Sequence, residues 1–199
     1  MRDPKKILLI IQRSNGDVFL SASLINAIYE FYNFPQIDLL VNDDTLQVAS
    51  LMPNIHLIHT FSYKKKAQNK WQQERKLISK LYKRFDLSIN LTSSDRSVIY
   101  ALLAGRKSIS VVEKNHKKSW WKKKLLSKYY YYDDSQHIIQ QNLTALKLLK
   151  IKSDNVQKTI DIPNNVLINV KKKLKKHDIK KFIIFHPSAQ YNYKILSKH

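Results

Sequence analysis

Asp17 is the residue whose position best suits chemistry. It follows an apolar run, Ile7–Ile11, and a polar loop, Arg13–Gly16, and it begins a segment in which apolar residues recur with helical spacing. This pattern predicts a strand, a tight loop and a helix. Ligands of open α/β folds bind at the carboxyl ends of the strands, so this loop is expected to face a ligand. An ordinary helix N-cap is the simpler interpretation of Asp17 and needs no chemistry.

Gly16 is one of only two glycines in the chain. A scarce glycine at a strand-to-helix turn indicates either a backbone angle that other residues avoid or the close approach of a ligand. The loop lacks the glycine spacing of a dinucleotide site and the Gly-Lys-Ser/Thr ending of a P-loop. Those two common nucleotide sites are therefore excluded here.

Two further side chains follow predicted strands. Arg96 lies in a second polar loop, 92–97, in the first turn of a helix that Ser94 or Asp95 would cap. A cation is unfavourable there, which favours an anionic ligand, although an ordinary exposed arginine fits equally well. His137 is predicted in the first turn of a later helix. It is interpreted either as a partly buried polar residue or as a substrate contact.

Composition limits the partners and the compartment. The 199 residues carry 36 Lys+Arg against 15 Asp+Glu, a formal net charge of +21, which predicts an anionic partner. The absence of cysteine excludes disulfides and thiolate metal sites and fits a reducing compartment. No apolar run approaches the roughly 18 residues of a spanning helix. We expect a cytoplasmic protein that is at most peripheral on a membrane.

Two lysine-rich stretches leave alternatives open. Residues 62–70 read as a polar loop in which Lys64-Lys65-Lys66 is either solvated or in contact with an anionic substrate. Residues 114–132 hold seven lysines, two tryptophans and four consecutive tyrosines. That mixture suits an anionic membrane interface or single-stranded nucleic acid, and it is equally typical of a loop and short helix packed on the core.

The remaining pattern alternates strands and helices, which predicts an α/β fold: a Rossmann-like parallel sheet with helices on both faces. Strands are predicted at Ile37–Val41, Ile55–His59, Asp86–Leu91, Ser108–Val112 and Phe182–Phe185, and helices at Asp17–Asn33, Asp44–Leu51, Asn69–Arg84, Val98–Ala104, Asp133–Lys150 and Asn164–Lys176. Gly105 is expected to stop the helix before it.

Several of these segments together resemble the heptosyltransferases of glycosyltransferase family 9. The opening strand with Ser14-Asn15-Gly16-Asp17 is similar to the family's small-polar-Gly-Asp turn. Further similarities, in chain order, are the second strand Ile37–Val41, the strand Phe85–Leu91, the loop Asp95-Arg96-Ser97, and Phe185-His186-Pro187-Ser188-Ala189 followed by Lys194. The ordered set spans the whole chain.

The resemblance implies an inverting sugar transfer to a lipopolysaccharide core. Asp17 would be the general base, and Ser14, Asn15, Gly16, Arg96 and His137 would bind the acceptor. Ser188 and Lys194 would face the nucleotide-sugar donor, which is usually ADP-heptose; the lysine would neutralise the leaving diphosphate, so that no metal or other cofactor is implied. The partners would be this donor, a lipid A-core acceptor and the anionic inner face of the cytoplasmic membrane, with no nucleic acid.

The resemblance also implies two domains of the GT-B fold. Residues 1–177 would form a Rossmann-like acceptor-binding domain, and residues 178–199 would be the first strand and loop of an incomplete nucleotide-sugar-binding domain. The chain alone is therefore not expected to hold the donor. The competing hypothesis is a basic α/β module that binds anionic lipid or nucleic acid and catalyses nothing.

Overall fold

A computed structural model of the chain describes residues 3–152 and 162–185. It divides into two units, Met1–Asp161 and Ile162–His199. The first unit contains six strands: β1 Lys6–Ile11, β2 Gln36–Asn42, β3 Leu57–Phe61, β4 Phe85–Asn90, β5 Gly105–Val112 and β6 Lys128–Tyr131. Its helices are α1 Asn15–Phe19, α2 Ala22–Phe31, α3 Leu46–Ala49, α4 Tyr63–Leu81, α5 Asp95–Ala104, α6 His116–Leu125 and α7 Ile138–Leu149.

The strands form one sheet in the order β3-β2-β1-β4-β5-β6, and every pair is parallel. Ile7 pairs with Ile37 on one side and with Leu87 on the other, which makes β1 central. The predicted Rossmann-like parallel sheet is therefore confirmed. In a parallel sheet the carboxyl ends of the strands share one edge, so the loops after β1 and β4 lie on the same edge.

Helices cover both faces of the sheet. Ile7, Leu9 and Ile11 pack in a cluster that includes residues of α1, α2 and α7, whereas Leu8 and Ile10 pack in a second cluster with residues of α4 and α5. Both sets are buried because alternate side chains of a strand point to opposite faces. A continuous apolar run such as β1 is typical of a strand covered on both faces.

The predicted helix Asp17–Asn33 is wrong as one element, because the structure divides it into α1 and α2. The division lies at Ser21, whose backbone N–H donates to the carbonyl oxygen of Val18 at 3.1 Å, in the tighter i→i−3 pattern. The Ser21 hydroxyl donates to the same carbonyl at 2.6 Å. Side-chain bonds of this kind compete with the α-helical ladder.

Several element bounds also differ from the prediction. Helix α4 begins at Tyr63, so the expected polar loop 62–70 is wrong; Lys64 is an exposed residue of the first turn, while the side chains of 65–70 lie outside the described ones. Strand β3 lies two residues later than predicted. The segment 114–132 contains α6 and the unpredicted strand β6. Strong lysine content conceals the short helical and strand patterns in both places.

Gly105 ends α5, as predicted, but it does so without a left-handed conformation. Its φ is −99°, and β5 begins at the same residue. A Cβ atom here would lie 2.6 Å from the Lys107 carbonyl oxygen and 2.6 Å from the Ser88 hydroxyl. Close packing against the neighbouring strand therefore requires glycine at this position.

The second unit contains α8, Asn164–Lys176, with the predicted bounds. The predicted strand Phe182–Phe185 is wrong: these residues form no strand, and their side chains are exposed. A strand requires a neighbour to complete its hydrogen bonds, and no described segment pairs with this one. Ser188 and Lys194 lie outside the described residues.

Candidate functional site at the carboxyl edge of the sheet

Ser14, not Asp17, is the N-cap of α1. The Asp17 backbone N–H donates to the Ser14 hydroxyl oxygen at 3.4 Å, and the Ser14 backbone N–H donates to Oδ2 of Asp17 at 3.2 Å. This reciprocal arrangement is a capping box, in which Asp17 is the third helical residue. The prediction that Asp17 is the N-cap itself is therefore wrong, although its carboxylate does stabilise the helix start.

Three donors engage the same oxygen of Asp17. Besides the Ser14 N–H, the Ser14 hydroxyl donates to Oδ2 at 2.7 Å, and Nε of Arg13 lies 3.3 Å from it. No hydrogen bond to Oδ1 is found within the described part of the chain, and the Asp17 side chain is 18% exposed. The carboxylate is thus held in one orientation with its second oxygen available to accept a proton.

Arg13 connects this carboxylate to the end of β6. Its guanidinium lies 3.4 Å from the Tyr132 hydroxyl and 5.3 Å from the centre of that ring. Burial acts to lower the pKa of Arg13, but the hydrogen bond with Tyr132 and the charge of Asp17 outweigh it, so the pKa is raised. Arg13 is therefore a permanent cation that orients Asp17.

Gly16 does not have the unusual backbone angle that its scarcity suggested. Neither glycine has a positive φ. A Cβ atom at Gly16 would meet only the Ser14 hydroxyl, at 3.9 Å. Ser14, Asn15 and Gly16 are all exposed. Contacts within the chain therefore do not require glycine at this position.

The loops after β1 and β4 are joined directly. The Leu91 N–H donates to the Ile10 carbonyl oxygen at the ends of the two strands. In the loops that follow, the backbone N–H of Gln12 donates to the Thr92 hydroxyl at 3.0 Å. The two polar loops picked out from the sequence therefore lie side by side at the carboxyl edge.

Arg96 has partners within the chain. Its Nε lies 3.2 Å from Glu74 of α4, and its guanidinium lies 4.4 Å from the centre of the Phe61 ring. Glu74 also accepts a very short hydrogen bond from the Tyr100 hydroxyl. Burial, followed by that bond, raises the pKa of Tyr100. The unfavourable position of Arg96 at a helix start is thus compensated by a carboxylate and an aromatic face.

His137 is the N-cap of α7 rather than a residue of its first turn. Its Nδ1 accepts a hydrogen bond from the Ile139 backbone N–H at 3.3 Å, and the residue is exposed. Because α7 follows β6, His137 lies in a loop at the same edge of the sheet as Asp17. It is not the partly buried residue that one interpretation expected.

Two buried amides at this edge were missed by the sequence reasoning. Gln12 directly follows the central strand β1, and Asn42 is the last residue of the neighbouring strand β2. Both are more than nine-tenths buried. Both amide atoms of Gln12, and Oδ1 of Asn42, have no hydrogen-bond partner among the described residues. The available signal was a polar amide at the end of an otherwise apolar strand.

Lys122 was also missed, because it lies in a run of lysines. Its side chain is fully buried, unlike the exposed Lys124 in the same helix. Nζ lies 2.7 Å from Asp95, 2.9 Å from Glu113 and 2.7 Å from the Ser93 carbonyl oxygen. This ammonium group fixes the loops after β4 and β5 together. A single sequence offers no signal that separates it from its neighbours.

No helix in the described ranges is long and apolar enough to cross a membrane. Within 3–152 and 162–185, no group of three or more metal-ligating side chains is assembled.

Comparison with known proteins adds a sequence relative. No protein-family model matches the chain. Over 186 residues the chain is 25% identical to lipopolysaccharide heptosyltransferase 3 of Escherichia coli; the alignment covers 92% of this chain and 54% of that protein.

Solved structures share the fold. A glycosyltransferase of family 9 from Veillonella parvula superposes with a TM-score of 0.77 at 16% identity, over 98% of this chain and 57% of that one. Escherichia coli heptosyltransferase WaaC with ADP-2-deoxy-2-fluoro heptose superposes with a TM-score of 0.65 at 12% identity, over 76% of this chain and 50% of that one. Escherichia coli ADP-heptose heptosyltransferase II superposes with a TM-score of 0.60 at 16% identity, over 88% of this chain and 51% of that one.

The fold and the relatives define a class: an α/β domain of the kind found in sugar-transferring enzymes. The particular resemblance is to the heptosyltransferases of glycosyltransferase family 9, and that prediction is confirmed. The chain spans about half the length of the relatives that it matches.

Proposed function

We propose that this chain is the acceptor-binding half of a heptosyltransferase-type glycosyltransferase that transfers a heptose or related sugar to a lipopolysaccharide core. The observation that carries this proposal is the oriented carboxylate of Asp17, which lies beside the exposed Gly16 at the ligand-binding edge of the sheet. The sequence similarity to a heptosyltransferase supports the sugar and the acceptor class.

In this mechanism Asp17 is the general base. Oδ1 takes the proton of an acceptor hydroxyl, and that hydroxyl oxygen attacks the anomeric carbon of the donor sugar from the face opposite the diphosphate. The bond between the anomeric carbon and the diphosphate oxygen breaks, and the nucleoside diphosphate leaves with both electrons of the bond. The three donors on Oδ2 hold the carboxylate in place, so that little reorganisation accompanies proton transfer.

The acceptor would lie along the exposed surface of the first turn of α1. Ser14, Asn15 and Gly16 line that turn, and His137 is exposed at the same edge. Arg96 is placed differently from the other four, because its guanidinium already pairs with Glu74. Its role in this proposal is to bind an acidic group of the acceptor while it joins α5 to α4.

The donor would be a nucleotide-sugar, and ADP-heptose is the one favoured by the bound molecules of the WaaC structures, which are ADP and an ADP-heptose analogue. Ser188 and Lys194 are the residues proposed to face the diphosphate. Residues 1–177 are proposed to form the domain that binds the acceptor, and residues from 178 onward are proposed to belong to the domain that binds the donor.

We also propose peripheral attachment to the anionic inner face of the cytoplasmic membrane. Trp120 is 58% exposed, Lys124 is exposed beside it in α6, and Tyr131 of β6 is exposed with Nζ of Lys123 4.9 Å from its ring centre. Exposed indole and phenol rings among ammonium groups suit a headgroup layer. A lipid A-core acceptor would be reached from that surface.

The test is sugar transfer itself. Residues 1–177 joined to the complete donor-binding domain of a family-9 relative should transfer heptose from ADP-heptose to a deacylated core acceptor, detected by mass. A chimera that binds the acceptor or anionic lipid but transfers nothing, while the intact relative is active, would instead support a binding module without catalysis.

A further inference from the structure

A cavity lies at the carboxyl edge of the sheet, between the loops after β4 and β5. It has a volume of about 530 Å³ and is lined by Asp95, Glu113, Lys117 and Trp121. Asp95 is the first residue of α5, the helix that follows β4 and its loop. Glu113 is the residue after the end of β5. The cavity therefore shares the edge of Asp17, but no residue of the Asp17 site lines it.

One buried ammonium group contacts both carboxylates of this cavity. The fully buried Nζ of Lys122 lies 2.7 Å from Oδ1 of Asp95 and 2.9 Å from Oε2 of Glu113, and so holds both carboxylates from below. Trp121 packs against the apolar cluster of Val98, Val112 and Leu126 and is only partly exposed. The cavity thus presents a packed aromatic ring beside two ion-paired carboxylates, of which the Asp95 side chain is 70% exposed and the Glu113 side chain 35% exposed.

The charge of the lining identifies the class of ligand. In a chain with a net charge of +21, two carboxylates here face two ammonium groups, Lys117 and Lys122, so the charges balance among the described side chains that line or hold the cavity. A lining with balanced charges offers a phosphate no net attraction. A neutral polyol suits the site, because carboxylate oxygens accept strong hydrogen bonds from hydroxyl groups and an aromatic ring packs against an apolar C–H face.

We propose that this cavity is a subsite for a neutral sugar residue, with Trp121 as the stacking platform and Asp95 and Glu113 as the hydroxyl-binding groups. Lys122 is a positioning residue, since it acts through the carboxylates. Given the proposed function, the bound sugar is an unphosphorylated unit of the acceptor next to the one that reacts at Asp17. The subsite would therefore select acceptors that have lost, or never carried, a phosphate at that unit.

The experiment is a titration of the chain with a neutral heptose disaccharide, as its methyl glycoside, followed by NMR of the indole N–H signals. We expect the Trp121 signal to shift in a saturable way. Trp120→Ala, which removes the neighbouring and more exposed ring, should leave that shift unchanged. Asp95→Asn should weaken binding about tenfold by removing one charged hydrogen-bond acceptor.

Three outcomes would overturn the subsite: no shift of Trp121, equal saturable binding in Trp121→Ala, or competition by inorganic phosphate. The spectrum itself reports whether each variant is folded. Because the titration involves neither a donor nor a transfer step, its failure leaves the proposed function untouched. Conversely, sugar binding at Trp121 in a protein that transfers nothing would retain the subsite and reject the transferase.

Discussion

The Ser14 hydroxyl donates a hydrogen bond to Oδ2 of Asp17 at 2.7 Å, while the Asp17 backbone N–H donates to the Ser14 hydroxyl oxygen. The same carboxylate therefore stabilises the start of α1 and, in the proposed mechanism, accepts a proton on its other oxygen. Capping and catalysis are not exclusive explanations of Asp17. Experiments on this site must separate a loss of helix stability from a loss of chemistry.

Replacing Gln12 should stabilise the protein. Its buried amide has no hydrogen-bond partner among the described residues, so Gln12→Met should raise the free energy of unfolding by about 1 kcal/mol. Gln141→Met is the matched control, because that buried amide donates to the Tyr131 carbonyl oxygen and accepts from the Asp133 N–H. The control should lose stability. Urea denaturation measures both, and equal losses would contradict the assignment of Gln12 as unpaired.

Asp38 should make stability depend on acid pH. It lies in β2 and forms hydrogen bonds of 3.0 Å with His56 and 2.9 Å with His59. Burial acts to raise the pKa of Asp38, but the two histidines outweigh it and lower the pKa. The resulting stabilisation is present above the unfolded value of about 4 and is lost as pH falls through the folded pKa.

The measurement is the free energy of unfolding of wild type and Asp38→Asn between neutral and acid pH. The two proteins should differ most above about pH 5 and converge as the solution is acidified. A constant difference across that range would show that the charge of Asp38 does not contribute.

Arg96→Lys tests whether this arginine is held by its own chain. Lysine cannot reproduce the planar contact with Phe61 or the Nε bond to Glu74, so the free energy of unfolding should fall by about 1 kcal/mol. Arg75→Lys, at an exposed position of α4, should change it by less than about 0.5 kcal/mol. Thermal denaturation of the two variants measures the difference. Equal melting temperatures would show that the contacts of Arg96 with Glu74 and Phe61 do not stabilise the protein.

The surface formed by α6 and β6 should prefer anionic membranes. Each lysine near such a surface contributes about 1 kcal/mol, so Lys124→Gln should weaken binding to vesicles containing anionic lipid about fivefold. Lys173→Gln in α8 changes the net charge equally at another exposed site and should have a smaller effect. Co-sedimentation with vesicles measures the binding of both variants. Equal binding of wild type to neutral and anionic vesicles would reject the membrane proposal.

Much of the fold was predictable because apolar periodicity is strong where a sheet is covered on both faces. The runs Ile7–Ile11 and Ile37–Val41 fall inside β1 and β2, and the placement of the loops after β1 and β4 follows from parallel topology. The prediction was wrong at the start of α4, where lysine dominates the composition, and in β6, where three tyrosines follow Lys128. Local periodicity is weak there, and tertiary packing decides the element.

The site was predicted only in part, because neighbours in space are not neighbours in sequence. The turn Ser14–Asp17 was found, but the contact between Arg13 and Tyr132 joins residues 119 positions apart. Likewise, Lys122 is distinguished from other lysines only by Asp95 and Glu113, which belong to other elements. Ion pairs of this kind depend on the completed fold.

The most direct test of the central claim is the transfer rate of Asp17→Asn in a chimera of residues 1–177 with a complete donor-binding domain. Asparagine retains one acceptor oxygen for the capping box but cannot serve as a base. Ser94→Ala is the matched control, because it removes the hydroxyl that caps α5 and leaves the Asp17 carboxylate with all of its donors. Both variants should lose about 1 kcal/mol of unfolding free energy. Only Asp17→Asn should lose about 10²- to 10⁴-fold in transfer rate; a rate within a few-fold of wild type would contradict the assignment of Asp17 as the general base.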